Sequence, residues 1–326
     1  MPLLPSETPA AAASHAACFE AQRARLLGLA WRMLGSRHEA QDLVQDLWLA
    51  WREVDLGALD QPGAYLARMA THLCIDRLRG AQRRREHYVG VWLPEPWIEA
   101  AAQADGQAPQ PPPERLAFAQ SVSIAFLFVL ERLSPLERAA FLLHDVFDEP
   151  FDEIARHLGR SAAACRQLAS RARSRVRAQG AWSDAEQGSA LADVAGRSAQ
   201  LLEAFAQAVG SGDTARLVAL LSEDVQLLSD GGGVVTAIPR PLRGADGVAR
   251  VLCALAHAWG QGEGLRERLQ AARINGMPGI IARAADGRVT LAVAVQPGAD
   301  GRVRGVYFMR NPHKLREAVE TTRLMG

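Results

Sequence analysis

A chain of 326 residues holds two or three domains of ordinary size, and 48% hydrophobic with 22% charged residues excludes a wholly disordered polymer. The net charge of +1, from 37 basic and 36 acidic residues, points to no partner by itself, so the placement of charge along the chain has to carry the reading. Four scattered cysteines (Cys18, Cys74, Cys165, Cys253) with no CxxC pair argue against a zinc site or disulfide scaffold and for a reducing compartment.

Residues 1–17 are rich in Ala, Pro and Ser and read as a loose tail, without the basic start and continuous apolar run of a secretion signal. Residues 18–88 have a helical pattern. Within them EAQDLVQDLWLAWRE (39–53) places Leu43, Val44, Leu47, Trp48 and Trp51 on one helix face. Glu39, Asp42 and Asp46 line up on another. Only Arg52 lies in that helix to pair with them, so the stripe is either a solvated face or a docking face for a basic partner.

The amphipathic segment 64–76 leads into RLRGAQRRR (77–85), five arginines in nine residues with no acid among them. That exceeds what a helix end needs for its dipole. With Tyr65 and Tyr88 nearby it reads as a nucleic-acid footprint, charge for the backbone and rings for unstacked bases.

Residues 89–113 form a proline-rich linker expected to run extended, its segment YVGVWLPEP (88–96) a rigid apolar peptide suited to a groove. Helices resume over 114–178. The uncharged stretch Leu116–Leu130 is too short to span a bilayer and suits a buried helix, so a cytoplasmic chain without membrane contact is expected.

Ser134, Pro135 and Glu137 announce a helix start. Phe151, Ile154, Ala155 and Leu158 then give a short amphipathic helix, Gly159 a turn, and Ser161 the cap of the next helix. That helix buries Cys165, Leu168, Ala169, Ala172 and Val176, and it shows Arg166, Arg173 and Arg177 beside Gln167 and Ser170. Two short helices about a glycine, the second basic on its open side, match a helix-turn-helix reading the major groove.

A second linker, 179–196, precedes a domain of different character (197–318) and a short tail (319–326). Helical stretches at 197–210 and 213–222 give way to strand-like runs. In VTLAVAV (289–295) Val289, Leu291, Val293 and Val295 share one face of a half-buried strand, bracketed by turns at 284–287 and 298–301.

Taken together, residues 18–318 resemble an extracytoplasmic-function (ECF) RNA polymerase sigma factor. The segments LGLAWRMLGSRHEAQDLVQDLWLAW and PGAYLARMATHLCIDRLRGAQRRR look like the sigma-2 domain, and LSPLERAAFLLHDVFDEPFDEIARHLGRSAAACRQLASRARSRV looks like sigma-4. The linker motif Trp92-Leu93-Pro94-Glu95-Pro96, the motif Asp230-Gly231-Gly232-Gly233 and the run Asn311-Pro312-His313-Lys314-Leu315 are similar to signatures of the subgroup with a fused SnoaL-like (NTF2-fold) C-terminal domain, the SigJ type. Two positions depart from those signatures, Val234 where lysine is usual and His313 where aspartate is usual.

The resemblance implies a multidomain fold, two all-α sigma domains (a sigma-2 helical bundle and a sigma-4 helix-turn-helix) followed by an α+β SnoaL-like cone. It implies an alternative sigma factor that binds core RNA polymerase and initiates transcription at promoter DNA. Glu39, Asp42 and Asp46 would meet the polymerase. Tyr65, His72, Asp76, Arg77, Arg79, Arg83, Arg84 and Arg85 would meet the −10 element, and Ser161, Arg166, Gln167, Ser170, Arg171, Arg173 and Arg177 the −35 element. The three signature motifs would couple the C-terminal domain, and a small-molecule or protein signal received there, to sigma activity in cis.

Neither cofactor nor metal is expected, and no catalytic residue. The alternatives are a ligand-responsive DNA-binding regulator with the cone as sensor, or a pocket enzyme whose polar candidates are Asp224, Asp230, His257 and Arg273.

Overall fold

The computed structural model describes residues 9–85, 88–100, 123–178, 191–260 and 269–316, with side chains throughout except at 9–13, 81–85, 99–100, 191–198 and 259–260. The chain divides into two compact units, residues 1–84 with 129–181 and residues 85–128 with 182–326.

The first unit contains α1 (Pro9–Leu34), α2 (Arg37–Trp51) and α3 (Pro62–Arg85). After α4 (Ile124–Leu130), which crosses the division, come α5 (Pro135–Phe141), α6 (Phe151–Leu158) and α7 (Ala162–Ala178). Gly35, at φ 70°, ends α1, and the Ser36 hydroxyl then caps α2 by accepting from Glu39 N at 3.1 Å. The apolar stripe of α2 is buried at Leu43, Val44, Leu47 and Trp51. Each such large side chain removed from water contributes about 1.5–3 kcal/mol.

Residues 9–17 are not a loose tail. They are the first turns of α1, because alanine is the strongest helix former and tertiary contacts fix the segment. His15 is buried, its Nε2 lies 2.8 Å from Val54 O, and Trp51 Nε1 donates to its carbonyl at 3.1 Å.

The helix-turn-helix forms as its punctuation requires. Ser134 and Glu137 make a reciprocal capping box at α5, whose end runs on as a π-helical turn, Leu142–Val146. Gly159 closes α6 in the left-handed conformation at φ 60°, and Ser161 Oγ accepts from Ala164 N at 3.2 Å to start α7. Cys165, Ala169, Ala172 and Val176 form the buried stripe of α7. Of the helix expected over 116–130, residues 116–122 lie outside the described residues.

The second unit is an α+β domain. Its elements are β1 (Ile98–Ala100), α8 (Leu191–Ser211), α9 (Thr214–Leu220), β2 (Leu221–Asp230), β3 (Leu242–Arg243), α10 (Ala245–Gly260), β4 (Leu269–Ile274), β5 (Met277–Arg283), β6 (Val289–Pro297), β7 (Val303–Met309) and α11 (Pro312–Leu315). Among the described residues the sheet order is β1-β4-β5-β6-β7-β2-β3, with only the β2–β7 pair parallel. One core packs Phe205 and Ala208 of α8, Leu217 of α9 and Val248 and Leu252 of α10 against Val225, Leu227, Leu291, Val293, Val306 and Phe308 of the sheet.

Three expectations change here. Residues 191–196 belong to α8 rather than to a linker, and 179–190 lie outside the described residues. The strand at 289–295 is buried on both faces, since Ala292 and Ala294 are as enclosed as Leu291 and Val293, with α11 against β6. Most important, 88–98 is not an unpacked linker. Leu93, Pro94, Pro96 and Ile98 are buried, and β1 adds to the sheet edge with Ile98 opposite Ile274 and Ala100 opposite Ala272. Residues 101–113 lie outside the described residues.

Candidate functional site

α2 brings Glu39, Asp42 and Asp46 to one side, as their spacing demands, but the stripe has partners. Asp42 pairs with His38 at 3.0 Å. Asp46 pairs with Arg77 of α3, whose guanidinium also donates to Glu39 O at 2.7 Å. The cation was hidden from sequence because it comes from another helix.

Of the residues expected at the −10 element, Tyr65, His72, Asp76, Arg77 and Arg79 are engaged inside the first unit. Tyr65 packs beside Trp51 at 6.4 Å between ring centroids, and His72 Nε2 lies 2.7 Å from His157 O on α6. Arg79 pairs with Asp76 at 3.0 Å, one helical turn away. Arg83, Arg84 and Arg85 end α3, and their side chains lie outside the described residues.

On α7, Gln167, Ser170 and Arg177 are exposed and Arg166 stands 5.8 Å over the Phe151 ring. Ser161 is occupied as a helix cap. Arg173 donates through Nε to Asp145 at 2.8 Å. Arg171 and Arg175 reach Glu137 at 3.4 and 2.8 Å. The bare basic face expected of Arg171 and Arg173 is therefore partly neutralised by α5 and the turn that follows it.

Burial pushes the Glu137 carboxyl up. Hydrogen bonds from the Ser134 backbone and hydroxyl, with Arg175 and Arg171 beside it, outweigh that and hold it below its ordinary value.

Charged contacts that no local pattern announces join the helix-turn-helix part to α1 within this unit. Buried Arg138 donates to Met33 O and, at 2.9 Å, to Glu131, and burial lowers its pKa to about 9. Arg25 meets Glu149 at 2.5 Å, Glu149 lies 3.2 Å from His157 Nδ1, and Arg25 and Arg32 both face the Phe147 ring.

In the second unit the three signature motifs converge on one carboxylate. Asp230 ends β2 and is 0% exposed. It accepts from Tyr88 OH (2.5 Å), Leu93 N (2.9 Å), Gly232 N (3.0 Å) and Lys314 Nζ (2.7 Å). Its carbonyl accepts from Arg310 N and Asn311 N, which fixes the start of α11.

Asn311 caps α11 through His313 N, with Pro312 in the first turn and Leu315 buried, and its Nδ2 donates to Tyr88 OH at 2.9 Å. Lys314 donates also to Leu93 O, and its ammonium lies 4.0 Å from the Trp92 ring centroid. A Cβ on Gly231 would come within 2.2 Å of Val235 O. One on Gly232, at φ 65°, would come within 2.4 Å of Asn311 Nδ2. Gly233, at φ 72°, turns under Val89. The glycines are thus part of a tight loop around the carboxylate.

Two residues that hold the linker escaped sequence reasoning. Tyr88 was expected to stack on bases, but its hydroxyl faces Asp230. Asn275 exchanges hydrogen bonds with the Trp97 backbone at 2.9 and 2.8 Å, and the Asn275-Gly276 turn was the available signal for it. Val234 and His313 are both exposed, so the departures from the family motifs leave the Asp230–Lys314 pair intact.

The four polar candidates for a pocket enzyme do not form a set. Asp224 pairs with Arg304 on the surface, Arg273 donates to Gly276 O, His257 is exposed on α10, and Asp230 is committed to the linker. Among the described residues no group of His, Cys, Asp and Glu could hold a metal ion, and no helix is long and apolar enough to cross a membrane.

Comparison with known proteins agrees with this architecture. Residues 18–84 match the family model for Sigma-70 region 2, and residues 123–176 that for Sigma-70, region 4. The ECF RNA polymerase sigma factor SigJ of Mycobacterium tuberculosis is 38% identical over 305 residues, 91% of each chain. The probable ECF RNA polymerase sigma factor SigI of the same species is 36% identical over 163 residues, 49% of this chain and 53% of SigI. The crystal structure of M. tuberculosis SigJ superposes with a TM-score of 0.68 at 33% identity, covering 91% of this chain and 96% of that one. Sigma factors as a family are not enzymes. The chain belongs to the extracytoplasmic-function RNA polymerase sigma factors, alternative sigma factors that initiate transcription.

Proposed function

We propose that this sigma factor is regulated in cis by its α+β domain, which grips the segment joining the sigma-2 and sigma-4 modules. The observation that carries the reading is the Asp230 node. One buried carboxylate gathers Tyr88 and Leu93 from the linker and Lys314 from α11, and β1 adds the next linker residues to the sheet. While that grip holds, the linker cannot extend.

Promoter recognition runs through the two modules. Glu39, Asp42 and Asp46 dock on core RNA polymerase. Tyr65, His72, Asp76, Arg77, Arg79 and Arg83–Arg85 serve the −10 element, and the exposed side of α7, with Arg166, Gln167, Ser170, Arg171, Arg173 and Arg177, the −35 element. Several of these side chains are engaged within the chain, His72 on His157 O, Arg77 on Asp46 and Arg173 on Asp145, so engagement of DNA has to exchange those contacts. The exchange supports a resting form and an active form whose populations core polymerase or a signal at the α+β domain shifts. The protein acts in the cytoplasm, and its α+β domain regulates rather than catalyses.

Run-off transcription with purified core RNA polymerase tests this. Asp230→Ala, which frees the linker, is expected to change transcript yield at least several-fold while leaving core binding intact. Equal output from both proteins on every promoter tried would end the regulatory reading. No transcript from either would end the promoter assignments.

A further inference from the structure

The 37 basic residues of this chain include a single lysine, so Lys314 carries its one ε-amino group. Its setting suits an ammonium. Nζ donates to Leu93 O and to Asp230 Oδ2 at 2.7 Å, and lies 4.0 Å from the Trp92 ring centroid and 5.3 Å from that of Tyr88. A compact charge with three rotatable donors meets all four partners at once, whereas a planar guanidinium presents a fixed fork. The linker peptide is therefore fastened to the α+β domain by the one side-chain cation in the chain that acyl-transfer chemistry readily neutralises.

We propose that Lys314 is an acylation site, and that its modification by an acyl phosphate or acyl thioester releases the linker from the α+β domain. The ammonium first loses a proton, and the free amine attacks the acyl carbonyl carbon. The N–C bond forms, and the bond from that carbon to the phosphate oxygen or thiolate sulfur breaks. The leaving group takes the electron pair, and a second N–H proton passes to solvent.

The product is a neutral amide with one N–H in place of three. Asp230, fully buried, then has no counter-charge, and Trp92 has lost the cation over its ring. The acyl group also adds bulk at Nζ, where a ring and a carbonyl already lie in contact. The acylated side chain fits only a released linker, so modification shifts the population towards release. Because 10% of the Lys314 side chain is exposed, reaction proceeds through transient opening of the linker. The consequence for transcription rests on the regulatory reading above, while the chemistry and the release do not.

The test uses the full-length protein and acetyl phosphate. Peptide mass spectrometry reads the acetylation, with the α-amino group as internal reference, and amide hydrogen exchange reads residues 88–98. Expected are acetyl-Lys314 and a loss of protection at the Leu93 and Trp97 amides of about tenfold or more. Lys314→Gln is expected to reproduce that loss without reagent, and Lys314→Arg to leave exchange over 88–98 unresponsive to it. Acetylation confined to the α-amino group, or acetyl-Lys314 with unchanged exchange, would overturn the proposal. Acetylation that frees 88–98 while run-off transcription stays constant would uphold the acylation site and remove the regulatory reading instead.

Discussion

Two carboxylates gather cations in this molecule, and they do so in opposite ways. Glu137 of the helix-turn-helix unit, its own side chain 7% exposed, holds Arg171 and Arg175, whose side chains are 60% and 54% exposed, so each pair is open to solvent on the arginine side. Asp230 of the α+β domain holds Lys314, and the pair is 0% and 10% exposed. Exposed pairs contribute about 0–1 kcal/mol, whereas breaking a buried pair costs about 3–5 kcal/mol. Glu137 also keeps its capping bonds to Ser134 when the arginines leave, so their departure costs little. Asp230 keeps Gly232 N from its own loop, but its other donors, Tyr88 OH and Leu93 N, belong to the linker, and without Lys314 its charge stays buried. The same chemistry thus gives an exchangeable contact in one region and a lock in the other.

The sharpest way to break the comparison is Asp230→Ala. It strands the Lys314 ammonium, removes the acceptor of the Tyr88 hydroxyl proton and takes the partner from Leu93 N, and it should lower unfolding stability by about 3–5 kcal/mol in a guanidinium titration followed by tryptophan fluorescence. A loss under about 1 kcal/mol would mean the node is no lock. Gly232→Ala should cost about 1–3 kcal/mol in the same titration, through its positive φ and the Asn311 side chain it would strike.

On the other side, Ser134→Ala should cost about 1 kcal/mol by removing the cap of α5. Glu137 titrates below its ordinary value in the folded chain, so its contribution is present above an unfolded pKa of about 4.3 and disappears as pH falls through the folded value. Thermal melts between about pH 6 and 3 should show that loss, and Glu137→Gln should flatten it. Smallest of all, Arg175→Ala should change stability by no more than about 0.5 kcal/mol. If it reaches a phosphate on the promoter, the same change should reduce the salt slope of binding by about 1.

The legible parts of the sequence were those governed by neighbours a few residues apart. Ser134 with Glu137, Gly159 and Ser161 state the helix-turn-helix directly, and the alternation of 289–295 states a strand. Contacts closed by distant residues were silent. Nothing near Asp46 points to Arg77, and nothing near Arg171 points to Glu137, because both meetings depend on how helices pack. β1 was unreadable as a strand because three residues carry no period, and its proline-rich approach argued for extension without saying against what. The tail at 9–17 misled for a related reason, since it has strong helix propensity but no apolar rhythm to announce it. Asp230, Lys314 and Leu93 were legible as members of motifs, while their meeting at one carboxylate was not.

The order in which the node's parts leave the ribosome sets a final consequence. Trp97 precedes its partner Asn275 by 178 residues, and Leu93 precedes Lys314 by 221. At about 5–20 residues per second, roughly 10–45 s of translation separate the linker from the residues that fasten it. The region 2 module, residues 18–84, is made before that interval and the region 4 module, residues 123–176, within it. Every newly made copy therefore begins life unfastened, and rapid synthesis of the protein would itself enlarge the ungripped fraction before any signal arrives.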